Sequence, residues 1–327
     1  MRPRLWWTAL AAVLAVSPAT ANPAAQAQAR PPGPPLREDP VALETALSCP
    51  DGLGHPEHSV VLLVHGTATT AAESWPAGFG EVLPAAGFDW CMVQLPGRAL
   101  VDIQTSTEYV VAAVRSLHER TGRKVSLVGH SQGADQVRWA VRWWGDVRAA
   151  VDDLVTIAGA NRPIPWTKAA LCNPDCAPPF WQFSTGSAFL QVLNRDPVPE
   201  GPSYTTVRSL TDPLIQPAVP EDTAVATIDG ATNVLVQDLC PGRAVDHVSA
   251  IFDAAVISLV LDAFEHPGPT EPARFDRAAC TRPTPEEVDP AVAAVATATL
   301  YANAFAAIAA GPRTDAEPPL RDYAQAG

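Results

Sequence analysis

Basic residues are scarce in this sequence. It holds 22 Lys and Arg against 35 Asp and Glu, a formal net charge of −13. That deficit argues against nucleic acid and anionic membrane surfaces as partners, because both recruit positive charge. Neutral substrates stay open. Long apolar runs are scarce too. The stretch "LWWTALAAVLAV" near the start has twelve residues, too few to span a bilayer. No other segment approaches a membrane span, so stable membrane insertion is not expected. No internal repeat is present. Metal ligands are poorly provided. "CNPDC" (172–176) has no second Cys pair or nearby His to complete four ligands. Neither a metal nor a cofactor is expected.

What is present suits a globular protein. The chain has 327 residues, 47% of them hydrophobic, enough for one large domain or two ordinary ones. Its 34 Pro imply long ordered loops. The basic start "MRPR", the apolar run and the small residues of "SPATAN" read as a secretory signal over residues 1–21, cleaved after Ala21. Cleavage would remove Arg2 and Arg4 and leave 20 basic against 35 acidic residues, or −15. Residues 22–40 read as a disordered Pro-rich leader, 41–312 as the folded domain and 313–327 as a C-terminal tail. Six Cys stand at 49, 91, 172, 176, 240 and 280. Export and an even count favour three disulfides in an extracellular protein. Spacing alone does not choose among the fifteen connectivities of six Cys.

Strands and helices alternate. "SVVLLVHGTATT" (59–70) is an apolar run of strand length followed by a Gly/Thr loop. It is apolar on both faces, as a buried parallel strand is. "GFDWCMVQLPG" (87–97), "KVSLVG" and "DDLVTIAGA" (152–160) give further strands, and "YTTVRSL" (204–210) and "TNVLVQDL" (232–239) resume them. "TSTEYVVAAVRSLHERTG" (105–122) reads as a helix, with Thr105 and Glu108 as a capping box and Gly122 as its stop. "ADQVRWAVRWWGD" (134–146) and the Ala-rich "AVAAVATATLYANAFAAIAAG" (291–311) read as helices. The alternation predicts an α/β fold with a mostly parallel central sheet flanked by helices. The Pro-rich stretch over 161–190 reads as a flap-like excursion from it.

"GHSQG" (129–133) carries the chemistry. A strand precedes it and a helix follows it, the context of a nucleophile elbow. The turn needs small residues around Ser131 and presents its hydroxyl above the sheet edge. A Ser hydroxyl is a weak nucleophile until a base takes its proton. His247 and His266 are the downstream histidines. His247, at the head of an apolar helix-like segment, is preferred to His266 in an exit loop. The acid should lie between nucleophile and base, after a strand. Asp212 in "TDPLIQP" fits, with Asp196, Asp229 and Asp246 as weaker rivals. The oxyanion needs donors. The backbone N–H of Gln132 and a group in "HGTATT", with Thr67 the natural candidate, would supply them.

These stretches resemble the α/β-hydrolase family of Candida antarctica lipase B and its bacterial relatives. The likeness runs in order through "VLLVHGTATT", "STEYVVAAVRSL", "GHSQGADQV", "FWQFSTGSAFLQVLN", "SLTDPLIQP", "VDHVSA" and the Ala-rich tail, over most of residues 45–312. The resemblance implies Ser131, Asp212 and His247 as a catalytic triad. It implies Thr67 and Gln132 as the oxyanion hole, with the Thr67 hydroxyl as an extra donor. It also implies pairing of Cys49 with Cys91 and of Cys240 with Cys280, which leaves Cys172 to pair with Cys176. The chain departs from the family pattern at His130 and His65, where a Trp and a Pro stand in the family's lipase. It lacks that lipase's C-terminal disulfide and has "CNPDC" in the flap instead.

The expected protein is a secreted serine ester hydrolase, a lipase or carboxylesterase acting through an acyl-enzyme on neutral esters or acylglycerols. Its expected partner is a small ester or lipid substrate, with transient contact to a lipid interface admitted, and it is expected to be a monomer. Two other readings share the sequence. A serine amidase or protease would use the same triad. A non-catalytic binding protein would keep the scaffold alone, but such proteins usually lose a triad member.

Overall fold

The computed structural model describes residues 33–325. Seven strands form one sheet: β1 Leu47–Ser48, β2 Val60–Val64, β3 Trp90–Val93, β4 Val125–His130, β5 Val151–Ile157, β6 Ser203–Arg208 and β7 Thr232–Leu235. Their spatial order is β1-β3-β2-β4-β5-β6-β7. Only β1 runs antiparallel, on β3; every other neighbour pair is parallel. This is the mostly parallel sheet expected from the alternation, as the resemblance to α/β-hydrolases also implied. All five residues of β2 and all six of β4 are buried, as central parallel strands require.

The topology places the site. From β2 the chain steps to β3 on one side, and β4 then lies on the other side of β2. In such sheets the crevice beyond the carboxyl ends at the reversal is where ligands bind. The loop after β2 and the turn after β4 meet there. Helices Ile103–Thr121 and Gly133–Trp143 pack on each other and against β2 and β4, while Ala254–Glu265 packs on β5 and β6.

Several local expectations change. The first long helix begins at Ile103, and Asp102 caps it by accepting the Gln104 N–H (3.0 Å). Thr105 and Glu108 form no capping box. Asp102 wins because starting there buries Ile103. Glu108 instead accepts the backbone N–H of Glu38 (3.0 Å). The leader expected through residue 40 is therefore corrected at its end. Residues 33–39 are docked, with the Pro34 carbonyl on the Trp144 indole N–H (2.8 Å) and Asp39 capping the helix Pro40–Thr45. Partners distant in sequence hold this segment, so its composition gives no sign of them. The expected signal (1–21) and residues 22–32 lie outside the described residues. "TNVLVQDL" is a strand only to Leu235 and then turns into Val236–Leu239 as a short helix.

Disulfides join Cys49 to Cys91, Cys172 to Cys176 and Cys240 to Cys280. The C-terminal segment straps across the flap. Thr314 and Cys176 exchange backbone hydrogen bonds (3.1 and 2.8 Å). The Glu317 carboxylate accepts the N–H groups of Ala188 and Phe189 (both 2.9 Å). Tyr323 receives the Trp139 indole N–H (3.1 Å) and packs beside Trp143 and Trp144.

One expectation about apolar runs does not hold. The helix Pro290–Ala310 has 21 residues and is long and apolar enough to cross a membrane by length and composition. Alanine dilutes its apolar character along the sequence, but no charge interrupts it. Here it lies over the crevice at the carboxyl ends of the strands, with Val295 and Phe305 well exposed (67% and 69%).

Candidate active site

Ser131 follows β4 directly, with φ at +54°. A left-handed conformation costs a residue with a Cβ about 1 kcal/mol or more, so its surroundings must hold it. They do: the Ser131 N–H donates to Ile157 O (2.9 Å) and the Ala134 N–H to Ser131 O (3.1 Å). The outer glycines of "GHSQG" are there for space. A Cβ on Gly129 would stand 2.5 Å from the Gly133 backbone, and one on Gly133 would stand 2.2 Å from Val64 O. Strand, turn and helix can pass this closely only without side chains. Gln132 is the N-cap of the helix Gly133–Trp143, so unpaired amides and the positive end of the helix dipole gather at Ser131.

His247 lies on the loop after β7, ahead of the short turn Ser249–Phe252 and the helix Ala254–Glu265, and not on a helix. Its Nε2 is 2.9 Å from Ser131 Oγ and its Nδ1 is 2.8 Å from Asp212 Oδ2. Asp212, on the loop after β6, is buried. Its other oxygen accepts the N–H groups of Leu214 and Ile215 (2.7 and 3.0 Å). Burial pushes this carboxyl up, but the nearby His247 and these hydrogen bonds outweigh it and hold it below the ordinary carboxylate range. An ionised Asp212 accepts the Nδ1–H, which leaves the Nε2 lone pair facing the Ser131 hydroxyl.

The rival residues go elsewhere. Asp196 pairs with Arg195 (3.1 Å) and Asp229 with Arg162 (2.6 Å), both at the surface. His266 sits beside Asp262 (3.5 Å). Asp246 has a different task. Its Oδ1 accepts the N–H groups of Val248 and Ser249 (3.0 and 3.1 Å) and the Tyr301 hydroxyl (2.9 Å). The Ser249 hydroxyl accepts the Asp246 N–H (3.2 Å), which closes a reciprocal box around His247. The Asp-x-x-Ser spacing of "DHVS" is a signal that sequence reading could have used. Tyr301 had no such signal, because only the folded chain brings the C-terminal helix to this loop.

Two further histidines support the centre. His130 Nε2 donates to the His247 carbonyl (2.8 Å). Burial, and then the neighbouring His247, lower its pKa to about 3, so the ring is neutral. His65 accepts the Leu95 N–H at Nε2 (3.0 Å), which puts its proton on Nδ1 toward Gly66 O (2.9 Å). Burial lowers its pKa to about 4. It ties the loop after β2 to the end of β3.

Thr67 and Gln132 meet across the crevice. The Thr67 hydroxyl donates to Gln132 Oε1 (2.9 Å), so in this state it is engaged with that amide. The two residues lie on the segments that follow β2 and β4. A cavity of about 190 Å³ opens at Ser131 and His247. Its walls are apolar: Ile164, Trp166, Phe183 and Leu214 on one side, and Leu300 and Phe305 of the C-terminal helix on the other. A larger cavity of about 920 Å³ lies between residues 239–253 and 277–298 and includes neither Ser131 nor His247. Among the described residues no group of three or more His, Cys, Asp or Glu could hold a metal ion.

The chain has counterparts among known proteins. The family Lipase (class 2) matches residues 105–250. Lipase B of Pseudozyma antarctica is 29% identical over 289 residues, covering 86% of this chain and 84% of that protein. The crystal structure of Aspergillus fumigatus lipase B superposes with a TM-score of 0.83 at 28% identity, over 90% of this chain and 73% of that one. Bacillus licheniformis lipase BlEst2 in its propeptide form, at 16% identity and a TM-score of 0.53 over 69% of this chain and 54% of that one, shares the fold. Along nearly its whole length the chain is thus similar to lipase B proteins, with the fold of the α/β-hydrolases.

Proposed function

We propose that this lipase-family hydrolase is a secreted carboxylic ester hydrolase using Ser131 as nucleophile, His247 as base and Asp212 as its orienting anion. The observation that carries the reading is the line of two hydrogen bonds from Asp212 through His247 to Ser131 Oγ, ending at the mouth of an apolar cavity. In this reading Ser131 Oγ attacks the ester carbonyl as His247 Nε2 takes its proton. Asp212 stabilises the imidazolium. The backbone N–H groups of Thr67 and Gln132 receive the oxyanion. His247 returns the proton to the leaving alcohol, and water then releases the acid by the same steps. Three disulfides support an extracellular setting. The uncharged walls suit neutral acyl groups, and a cavity of about 190 Å³ suits chains of a few carbons.

The test is a p-nitrophenyl ester series run on wild type and Ser131→Ala. Short and medium acyl chains are expected to outrun palmitate, and Ser131→Ala is expected to be inactive while folded. An organophosphonate should label Ser131 in wild type. Labelling that persists in Ser131→Ala would overturn the assignment.

A further inference from the structure

The chain carries −13, yet three arginines, Arg138, Arg142 and Arg162, line one cavity of about 310 Å³. None of the residues around it lines the catalytic cavity. Arg138 is buried, and its guanidinium donates to neutral acceptors: Asn161 O (3.0 Å) and Asn194 Oδ1 (2.7 Å). No carboxylate among the described residues makes an ion pair with it. Asp135, one helical turn earlier, is buried, and neither of its oxygens has a hydrogen-bond partner. Burial drives that carboxyl well above its ordinary range, which weakens the nearest internal counter-charge. Burial, joined by repulsion from Arg142 and Arg162, lowers the Arg138 guanidinium to about 10 against the pull of Asp135.

Arg142 is also short of partners. Its Nη2 binds the carbonyls of Asp196 and Pro197 (2.8 and 3.1 Å), but its Nε–H is buried without an acceptor. The carboxylates of the cavity stand on its rim. Asp196 is 3.9 Å from Arg142 with its side chain 54% exposed, and Asp229 is 2.6 Å from Arg162 with its side chain 89% exposed. Exposed partners of this kind are screened and weakly held. A buried cation with neutral acceptors alone is costly, and guanidinium forks match the paired oxygens of carboxylate and phosphate. Leu190, Val198 and Ile228 complete the wall with apolar surface. The volume is at the small end for ligand pockets.

We propose that this cavity binds a compact oxyanion with a short apolar part, held by Arg142 and Arg162 against the buried Arg138. A phosphate monoester and a short carboxylate share that chemistry. To test it, the disulfide-bonded chain is titrated with sodium phosphate and, separately, with sodium butyrate. Chloride keeps the ionic strength constant, and calorimetry and thermal melting follow binding. Saturable binding is expected, with Tm raised by about 5 °C at a hundredfold excess over Kd. Arg142→Gln and Arg162→Gln are each expected to weaken it roughly tenfold and to leave ester hydrolysis unchanged. Tighter phosphate identifies a phosphorylated ligand, and tighter butyrate a carboxylate. No saturable response to either anion overturns the proposal, as does an unaltered response in the variants. If Arg142→Gln does not fold, Arg162→Gln, whose side chain is 23% exposed, carries the test.

Discussion

At the scale of single residues, the proposed acid and the proposed oxyanion donor make separable demands. Asp212 is buried, receives two backbone N–H groups and faces the imidazole, whereas Asp196 sits among arginines at the surface. Asp212→Asn keeps the shape but turns an amide toward Nδ1, favouring the wrong tautomer. It is expected to lower kcat by on the order of 10⁴-fold at equal folded fraction. Asp196→Asn is expected to leave kcat within about twofold, since an exposed ion pair contributes little. A larger loss from Asp196→Asn would reverse the assignment. Thr67 poses a subtler question, because its hydroxyl is bound to the Gln132 amide. To serve the oxyanion it must turn away from that oxygen. Thr67→Val keeps the backbone donor and the branched shape. If the hydroxyl turns, kcat should fall by roughly 10²-fold with KM little changed, because the charge develops mainly in the transition state. A kcat equal to wild type would confine Thr67 to its backbone donor.

Elements explain what was legible in the sequence and what was not. The elbow could be read because its glycines are dictated locally, by the passage of β4, the turn and the next helix within a few residues. The loops after β6 and β7 could be placed by chain order, which brought Asp212 and His247 forward as candidates. Two-residue β1 carries too little pattern to be seen, and the helix start at Asp102 was missed because burial of Ile103 decides it. Cross-strand chemistry is likewise invisible in one dimension. Asp153 on β5 accepts hydroxyls from Ser126 on β4 (3.1 Å) and Ser203 on β6 (2.6 Å), at the amino ends of three neighbouring strands. Burial raises its pKa to about 6, above the 3.8 of an unperturbed Asp. The folded state thus holds this proton more tightly than the unfolded one. The stability it contributes is fully present below about pH 3.8 and is lost as pH rises through 6. Asn mimics the protonated acid at every pH and can still accept one hydroxyl and donate to the other. Asp153→Asn is therefore expected to be more stable than wild type by roughly 2 kcal/mol at pH 8, several degrees in Tm, with the gap closing toward pH 4. Melting curves across that range check it, and a gap independent of pH would assign the effect to packing.

For the whole molecule, the C-terminal strap answers how a crevice roofed by a poorly buried helix keeps its shape. The helix Pro290–Ala310 buries little beyond Ala293 and Leu300. Polar anchors hold it instead: Tyr301 on Asp246, beside His247, and Asn303 on Glu73 (2.8 Å). Beyond Gly311 the chain pairs with Cys176, caps the helix Ala188–Leu193 through Glu317 and returns to Gln104, which accepts the Arg321 N–H (2.8 Å). It ends with Tyr323 among Trp139, Trp143 and Trp144. The strap thus fastens the flap wall of the pocket, the helix roof and the face of the elbow helix to one another. Ending the chain after Gly311 would remove one half-buried aromatic, Tyr323, and a set of hydrogen bonds whose loss leaves buried partners unpaired. The combined loss is expected to be about 4 kcal/mol or more, with a lower Tm. The tryptophans that Tyr323 covers should gain water, so their fluorescence should shift to the red in the native state. Because the strap reaches the pocket only through its walls, KM for medium-chain esters should rise before kcat falls. A truncated chain with the Tm, the emission maximum and the KM of wild type would show that the roof is held by Tyr301 and Asn303 alone.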